Sequence, residues 1–323
     1  MSSILRRAIN KFSYHKDRNA ILEKELKKWK TSFMPPGHYY SPFPDPAELT
    51  KHKNQIFHRN AELVFPGIDL QTNAQFELLQ RLSSYYRSDL FPMDKSANSR
   101  YYFNNQYFCF SDAIFLSAMM REWRPKRIIE IGSGFSSAVM LDVNEQYFNN
   151  SIQLTFVEPF PEDRLNDLVR AADNCSIIKD FVQHVPVQSF LELEENDILF
   201  IDSSHVSKTY SDVNHLIFNI LPLLKKGVIV HIHDVLFPFE YPAEWMIDQQ
   251  RAWNEAYLVR AFLQFNSAFR IELFTSYLEI KFRDWFLEKM PLCLEKHEQF
   301  AKEDGIVYFL ETGGQSLYLR KVN

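Results

Sequence analysis

Between residues 111 and 233 the chain alternates stretches of helically spaced apolar residues with short β-branched runs, and this alternation constrains the fold more than any other feature. It signals a mostly parallel sheet whose strands are joined by crossover helices. Strands are expected at residues 127–131 (RIIEI), 152–158 (IQLTFVE), 176–179, 197–202 (DILFID) and 228–233 (VIVHIH). Helices are expected between them, at 111–123, 136–147, 161–172 and 211–224. A longer helical stretch at 249–265 and two further strand candidates, 271–276 and 316–321, bring the expected sheet to seven strands. The fold class is therefore α/β, with helices flanking the sheet.

The first hundred residues have a different texture. Residues 1–30 are rich in Lys, Arg and Glu, with Ile4, Leu5, Ile9, Phe12, Ile21, Leu22 and Leu26 at helical spacing. Such a segment is either a solvated helix packed on the body, the commoner case, or a basic amphipathic arm for a membrane or partner. The stretch MPPGHYYSPFPDP, from Met34 to Pro46, contains five prolines and is expected to be an ordered irregular loop suited to covering a pocket. A helix is expected over residues 73–86. The expected organisation is an N-terminal arm and helical cap over residues 1–104, followed by a catalytic domain over 105–323.

Composition narrows the partners. Of 323 residues 46% are hydrophobic, enough for a full core, and the formal charge of −5 gives no general attraction for nucleic acid. Cys109, Cys175 and Cys293 are scattered without CxxC spacing, as reduced thiols would be. No run approaches about 18 apolar residues, so no stable membrane insertion and a cytoplasmic location are expected. A homo-oligomer stays open.

Glycine is scarce, with eight in the chain, which makes its placement informative. Gly132 and Gly134 follow an apolar run directly, in RIIEIGSGFSSAVML. Glycine is needed where a strand turns sharply into a helix and its backbone approaches a ligand, while the helix N-terminus offers free N–H donors. The third small residue of a dinucleotide fingerprint is Ser137 here, which disfavours an NAD-dependent dehydrogenase. Glu158 ends the next strand, and a carboxylate there suits two vicinal ribose hydroxyls.

EIGSG, FVEP, DILFIDSSH and GVIVHIHD together resemble the class I S-adenosylmethionine (SAM)-dependent methyltransferases. The resemblance is strongest to small-molecule O-methyltransferases with a histidine-and-acid motif after the fifth strand, including bacterial members linked to glycan or secondary-metabolite pathways. It covers residues 105–240 and weakens into WNEAYLVRAFLQFNS and SLYLRK. It implies a Rossmann-like sheet with SAM as cofactor. Glu130, Gly132 and Ser133 would hold the methionine moiety, Glu158 the ribose, Asp180 would face the adenine amino group, and Gly134 belongs to the same cofactor-binding set.

The fourth and fifth strands end in FIDSSH and VIVHIHD, which brings Asp202, His205, His233 and Asp234 to the sheet edge where ligands bind in open α/β folds. In metal-assisted members of the family an aspartate and two residues at the fifth strand's tip hold a divalent ion. Asp202, His233 and Asp234 occupy the matching places. Two mechanisms follow for transfer to a small-molecule or glycan acceptor. In one, a Mg²⁺-like ion lowers the pKa of an acceptor hydroxyl. In the other, His205 or His233 acts as general base beside Asp202. His233 departs from the oxygen-only Mg²⁺ pattern and suits a softer ion. His231 reads as a buried strand histidine, Lys208 as either a substrate-orienting or a solvated lysine. Trp253, Asn254 and Glu255 fall where substrate caps occur, Tyr101, Tyr102 and Phe103 near the cofactor entrance, and Glu240, Tyr241 and Pro242 at the acceptor mouth. Two rival readings use the same residues: an Fe(II)-type hydroxylase with His205, His233 and the aspartates, and a non-catalytic SAM- or nucleotide-binding protein.

Overall fold

The structure, a computed structural model, describes residues 33–105, 107–108, 110–295 and 313–323, with the backbone of two short antiparallel strands, Glu298–Gln299 and Tyr308–Phe309. The arm expected over residues 1–30 and Cys109 lie outside the described residues. The chain divides into two units, Met1–Ile56 with Trp245–Ala252 and Phe57–Glu244 with Trp253–Asn323. In the first, the proline-rich stretch is irregular, closed by a hydrogen bond from Gly37 N to Phe43 O, and Asp45 caps the short helix Pro46–Lys51 by accepting from Ala47 N.

The second unit is built on a seven-stranded, mostly parallel Rossmann-like sheet. Its strands are β1 (Arg127–Ile131), β2 (Gln153–Val157), β3 (Cys175–Ile178), β4 (Ile198–Ile201), β5 (Ile229–His233), β6 (Phe269–Phe274) and β7 (Ser316–Lys321). They lie in the order β3-β2-β1-β4-β5-β7-β6. The first five are parallel, and β7 runs antiparallel to both β5 and β6. The direction of strand addition reverses between β1 and β4, and the crevice beyond the strand ends at such a reversal is where open α/β sheets bind ligands. Register makes the consequence explicit. Ile131 pairs with Val157 and with Ile201, and Ile201 with Ile232, so the next residues, Gly132, Glu158, Asp202 and His233, emerge side by side.

Central strands β4 and β5 are buried at every position, as is β1 after its first residue, whereas β3 at the edge is only half-buried. The main helices are α1 (Thr72–Leu82), α2 (Phe110–Trp123), α3 (Phe135–Phe148) and α4 (Glu255–Leu263), followed by α5 (Thr275–Lys281) and α6 (Arg283–Lys289). Helix α2 is buried from Phe110 to Met120 on all sides, as expected of a helix whose apolar residues leave no polar face. The Arg100 guanidinium locks the preceding loop onto α3, pairing with Asp142 at 2.9 Å and Glu145 at 2.6 Å, and reaches Asp173 at 2.7 Å.

Three expected helices differ from the sequence reading. The helix over 161–172 shrinks to the turns Pro161–Asp163 and Leu165–Leu168. That over 211–224 breaks into Asp212–His215, a π-helical Leu216–Ile220 and a 3-10 turn Leu221–Leu223, because Pro222 cannot donate an N–H and its ring clashes with the preceding turn. The stretch 249–265 starts its helix only at Glu255, since Gln250 and Ala252 adopt left-handed backbone with φ of 51° and 52°. Among the described residues no helix is long and apolar enough to cross a membrane.

Candidate functional site

The bend after β1 is shaped by its neighbours. Gly132 has φ +78°, and a Cβ there would stand 2.1 Å from the carbonyl oxygen of Asp202. Its glycine is therefore demanded by the end of β4 as well as by the left-handed backbone. Gly132 N donates to Val157 O at 3.1 Å and Asp202 N to Ile131 O at 2.8 Å, which knits the three strand tips together. Glu130 is fully buried beneath this bend and accepts hydrogen bonds from the hydroxyls of Ser133, Ser136 and Ser137. Burial pushes its carboxyl up to about 8 despite those hydroxyls. Glu130 thus braces the loop from inside. Gly134 opens α3, its N–H donating to Ser137 Oγ at 3.0 Å, with Arg164 lying over it, stacked on Tyr107 and Phe135.

Glu158 closes the bend from the other side. One carboxylate oxygen accepts from Ser133 N at 3.0 Å and the other from Phe160 N at 2.8 Å. Gly132 and Glu158 line a cavity of about 450 Å³, whose remaining walls include Phe181, Gln183, Asp202, Ser203, Lys208 and Tyr210. That size is typical of small-molecule and cofactor sites. Asp180 is not among the lining residues. Its carboxylate accepts instead from Phe181 N at 2.7 Å and from His184 at 2.6 Å, and the His184 contact holds it below the usual carboxylate range.

Beyond Asp202 the cavity adjoins a cluster of acids and histidines. His205 Nε2 lies 3.4 Å from both Asp202 Oδ1 and Asp234 Oδ2, while its Nδ1 meets Glu255 Oε2 at 2.9 Å. Burial would depress His205, but hydrogen bonds to Asp202 and Glu255 and the charge of Asp234 outweigh it and push the ring up to about 10. His233 behaves likewise: against burial, the charge of Asp234 and the contacts to Asp112 and Asp202 hold it well above its ordinary value. Burial also opposes ionisation of Asp202, yet the two histidines hold its carboxyl well below the carboxylate range. His205 and Asp234 both take left-handed backbone, each with φ +58°. Non-glycine residues in such conformations concentrate at functional sites.

His233 is aimed by a residue far away in sequence. Its Nε2 meets Asp112 Oδ2 on α2 at 3.3 Å, and Asp112 Oδ1 accepts from Ser316 Oγ at 2.6 Å and Gln315 N at 2.9 Å. His233 Nδ1 is buried without a hydrogen-bond partner and faces Asp202 and Asp234, each at 3.7 Å. Asp202, His233 and Asp234 each offer one ligand atom, all within 4.8 Å of one another. A buried imidazole nitrogen without a partner, directed at two carboxylates and backed by a third, fits a divalent ion. The nitrogen and two oxygens suit Mn²⁺, Fe²⁺ or Zn²⁺ as well as Mg²⁺. His231 reads as expected, a buried strand histidine bonded to Ser316 Oγ at 2.8 Å.

The family model for a methyltransferase domain matches residues 129–235, the stretch that carries these strand tips. An uncharacterized protein of Archaeoglobus fulgidus is 35% identical over 197 residues, 59% of this chain and 87% of its own length. Residues 129–235 thus carry a methyltransferase domain. Solved structures similar in fold include an O-methyltransferase from Bacillus cereus in complex with S-adenosylhomocysteine (SAH), 12% identical, covering 86% of this chain and 97% of that one at a TM-score of 0.36. An SAH-bound methyltransferase from Podospora anserina is 15% identical, covering 90% and 99%, at a TM-score of 0.35.

The cavity bounded by Gly132, Glu158 and Phe181 has the size of a cradle for the cofactor of such a domain. The structure brings Gly132, Glu158 and Asp202 to that cavity, and Asp202, His205, His233 and Asp234 to one cluster beside it. Glu130 and Asp180 are turned away into contacts with their own loops. Glu240 does not line the cavity either, its carboxylate accepting from Tyr257 at 2.5 Å. Asp112, Phe181 and Tyr210 were not singled out from sequence. Asp112 lies 121 residues from His233, and no local spacing signals that contact. Glu255, which the sequence places where substrate caps occur, is the buried partner of His205. Trp253 packs on the same imidazole with ring centres 4.2 Å apart.

Proposed function

We propose that this methyltransferase transfers the methyl group of SAM to a hydroxyl oxygen of a small polar acceptor, with a sugar or glycan precursor as the favoured class. One observation carries the reading: Asp202 borders the cavity with Gly132 and Glu158 and at the same time belongs to the acid–histidine cluster. An acceptor hydroxyl held by that cluster therefore lies next to the cavity. Lys208 lines the same cavity and offers an ammonium group to the hydroxyls of a polar acceptor.

SAM supplies an electrophilic methyl on a sulfonium, so the chain's tasks are alignment and removal of one proton. Glu158 receives the ribose hydroxyls, with its carboxylate fixed by the N–H groups of Ser133 and Phe160. Ser133 and Gly134, with the free donors of the α3 N-terminus, receive the methionine end, on a bend held by Gly132 and braced by Glu130. While no ion is bound, His205 and His233 are both held in their charged forms by surrounding acids, so they orient Asp202 and Asp234, and Asp234 takes the hydroxyl proton. Once Nδ1 of His233 has given up its proton, it would hold a divalent ion together with Asp202 and Asp234, and the charge of the ion would lower the pKa of the hydroxyl.

The test is calorimetric titration with SAH on the parent chain and on Glu158→Ala. Loss of a carboxylate that binds two hydroxyls is worth about 1.5–3 kcal/mol, so binding is expected to weaken at least about tenfold. Equal affinity in the two proteins would remove the ribose assignment.

A further inference from the structure

Three side chains at the cavity rim form a chain that the chemistry above leaves unexplained. His184 Nδ1–H donates to the Asp180 carboxylate at 2.6 Å, and His184 Nε2 meets the Tyr210 hydroxyl at 3.0 Å. With Nδ1–H committed to the carboxylate, Nε2 is left for the Tyr210 hydroxyl. Gln183 Nε2 donates to the Tyr210 carbonyl at 2.9 Å. Both ends of Tyr210 are therefore gripped by the turn Val182–His184, which follows β3, although Tyr210 sits in the loop that follows β4.

The backbone of Tyr210 shows why a grip is needed. Its φ is +63°, a left-handed conformation unfavourable for a bulky residue by about 1–3 kcal/mol and retained only where the surroundings impose it. Packing does not impose it, for the residue is 72% exposed. The turn closed by Ser211 N donating to Lys208 O at 3.0 Å sets it, and the hydrogen bonds with His184 and Gln183 fasten that turn to its neighbour. Tyr210 and Gln183 both line the cavity, next to Phe181.

We propose that Asp180 is a positioning residue that acts through His184 on Tyr210, and that this relay clamps the loop after β4 onto the turn after β3 so that Tyr210 forms one wall of the SAM cavity. The inference rests on the SAM reading of that cavity. It replaces a direct contact between Asp180 and the cofactor by an indirect one.

A double-mutant cycle separates the two. SAH affinity is measured by calorimetry for the parent, Asp180→Ala, Tyr210→Phe and the double variant, alongside amide hydrogen exchange over residues 203–211 without ligand. Each single change is expected to weaken SAH about three- to tenfold, a modest effect because the relay is half-exposed, and the double to be no weaker than the stronger single. Both singles should speed exchange over 203–211, and Asp180→Asn, which keeps an acceptor for His184, should restore most of both. Additive losses with unchanged exchange would overturn the relay. Faster exchange with unchanged affinity would overturn its connection to SAM. If the parent itself failed to bind SAH, the SAM reading would fall, while the exchange data would still decide whether Asp180 and Tyr210 act as one unit.

Discussion

Gly132 shows how one residue can be fixed by two independent demands. Its φ of +78° excludes most side chains, and the Asp202 carbonyl fills the place where a Cβ would stand. Gly132→Ala is expected to lower stability by about 2 kcal/mol or more, because backbone strain and overpacking add. It should also abolish SAH binding, since relief requires the tips of β1 and β4 to part. Thermal melts and SAH titration check both; a variant as stable as the parent would refute the steric reading. Asp112 is a second residue whose weight is out of proportion to its local sequence. Asp112→Ala removes the partner of His233 Nε2, and loss of a group that orients such a histidine typically lowers activity or metal affinity about 10–100-fold. Steady-state kcat and Mn²⁺ titration of the variant measure this, with Asp112→Asn expected to recover stability before activity. Wild-type kcat and Mn²⁺ affinity in Asp112→Ala would show that His233 is oriented by something else.

At the scale of elements, the sheet was legible because each strand is an apolar run bounded by polar residues, and seven were expected where seven are found. The crossover segments were less so. Pro222 breaks the helix after β4, and left-handed Gln250 and Ala252 delay α4, effects that helical spacing of apolar residues does not register. Short helices such as Val187–Leu191 depend on what they pack against. The site followed the same division. Gly132, Glu158, Asp202 and His233 could be placed because register carries them to one edge, whereas Asp112, Glu255 and Tyr210 enter through tertiary contacts with no local signature. Asp197 makes the strand-level argument testable. It is buried at the start of β4 and accepts from Lys126 N at 2.8 Å, Arg127 N at 2.9 Å and Glu194 N at 2.9 Å, so it ties the beginnings of β1 and β4. Asp197→Ala would strand three backbone donors, and denaturant unfolding is expected to show a loss of about 2–4 kcal/mol. A loss below about 0.5 kcal/mol, the range of ordinary surface changes, would mean that water replaces the carboxylate.

Across the whole molecule, two acids lie deep inside the unit that holds the seven-stranded sheet and are linked to its pH response. Glu130 sits under the cofactor bend, and Glu279 on α5 accepts from Ser111 Oγ and from Gly314 N at 3.0 Å. Burial pushes each up to about 8 in spite of these donors, whereas an ordinary glutamate titrates near 4.5. The folded protein therefore keeps two protons that the unfolded chain gives up above about pH 4.5, so their contribution to stability is complete below that pH and is lost as pH rises through about 8. Glu279→Gln removes one of the two without changing shape. Relative to the parent, the variant's unfolding free energy is expected to improve steadily between pH 5 and pH 8, by a total on the order of a few kcal/mol, while Glu130 leaves a residual slope in both proteins. Urea unfolding at four or five pH values measures that difference. Parallel curves would mean that Glu279 is ionised in the folded state, and its ties to Ser111 and Gly314 would then have to be strong enough to hold a full negative charge in the core beside Asp112.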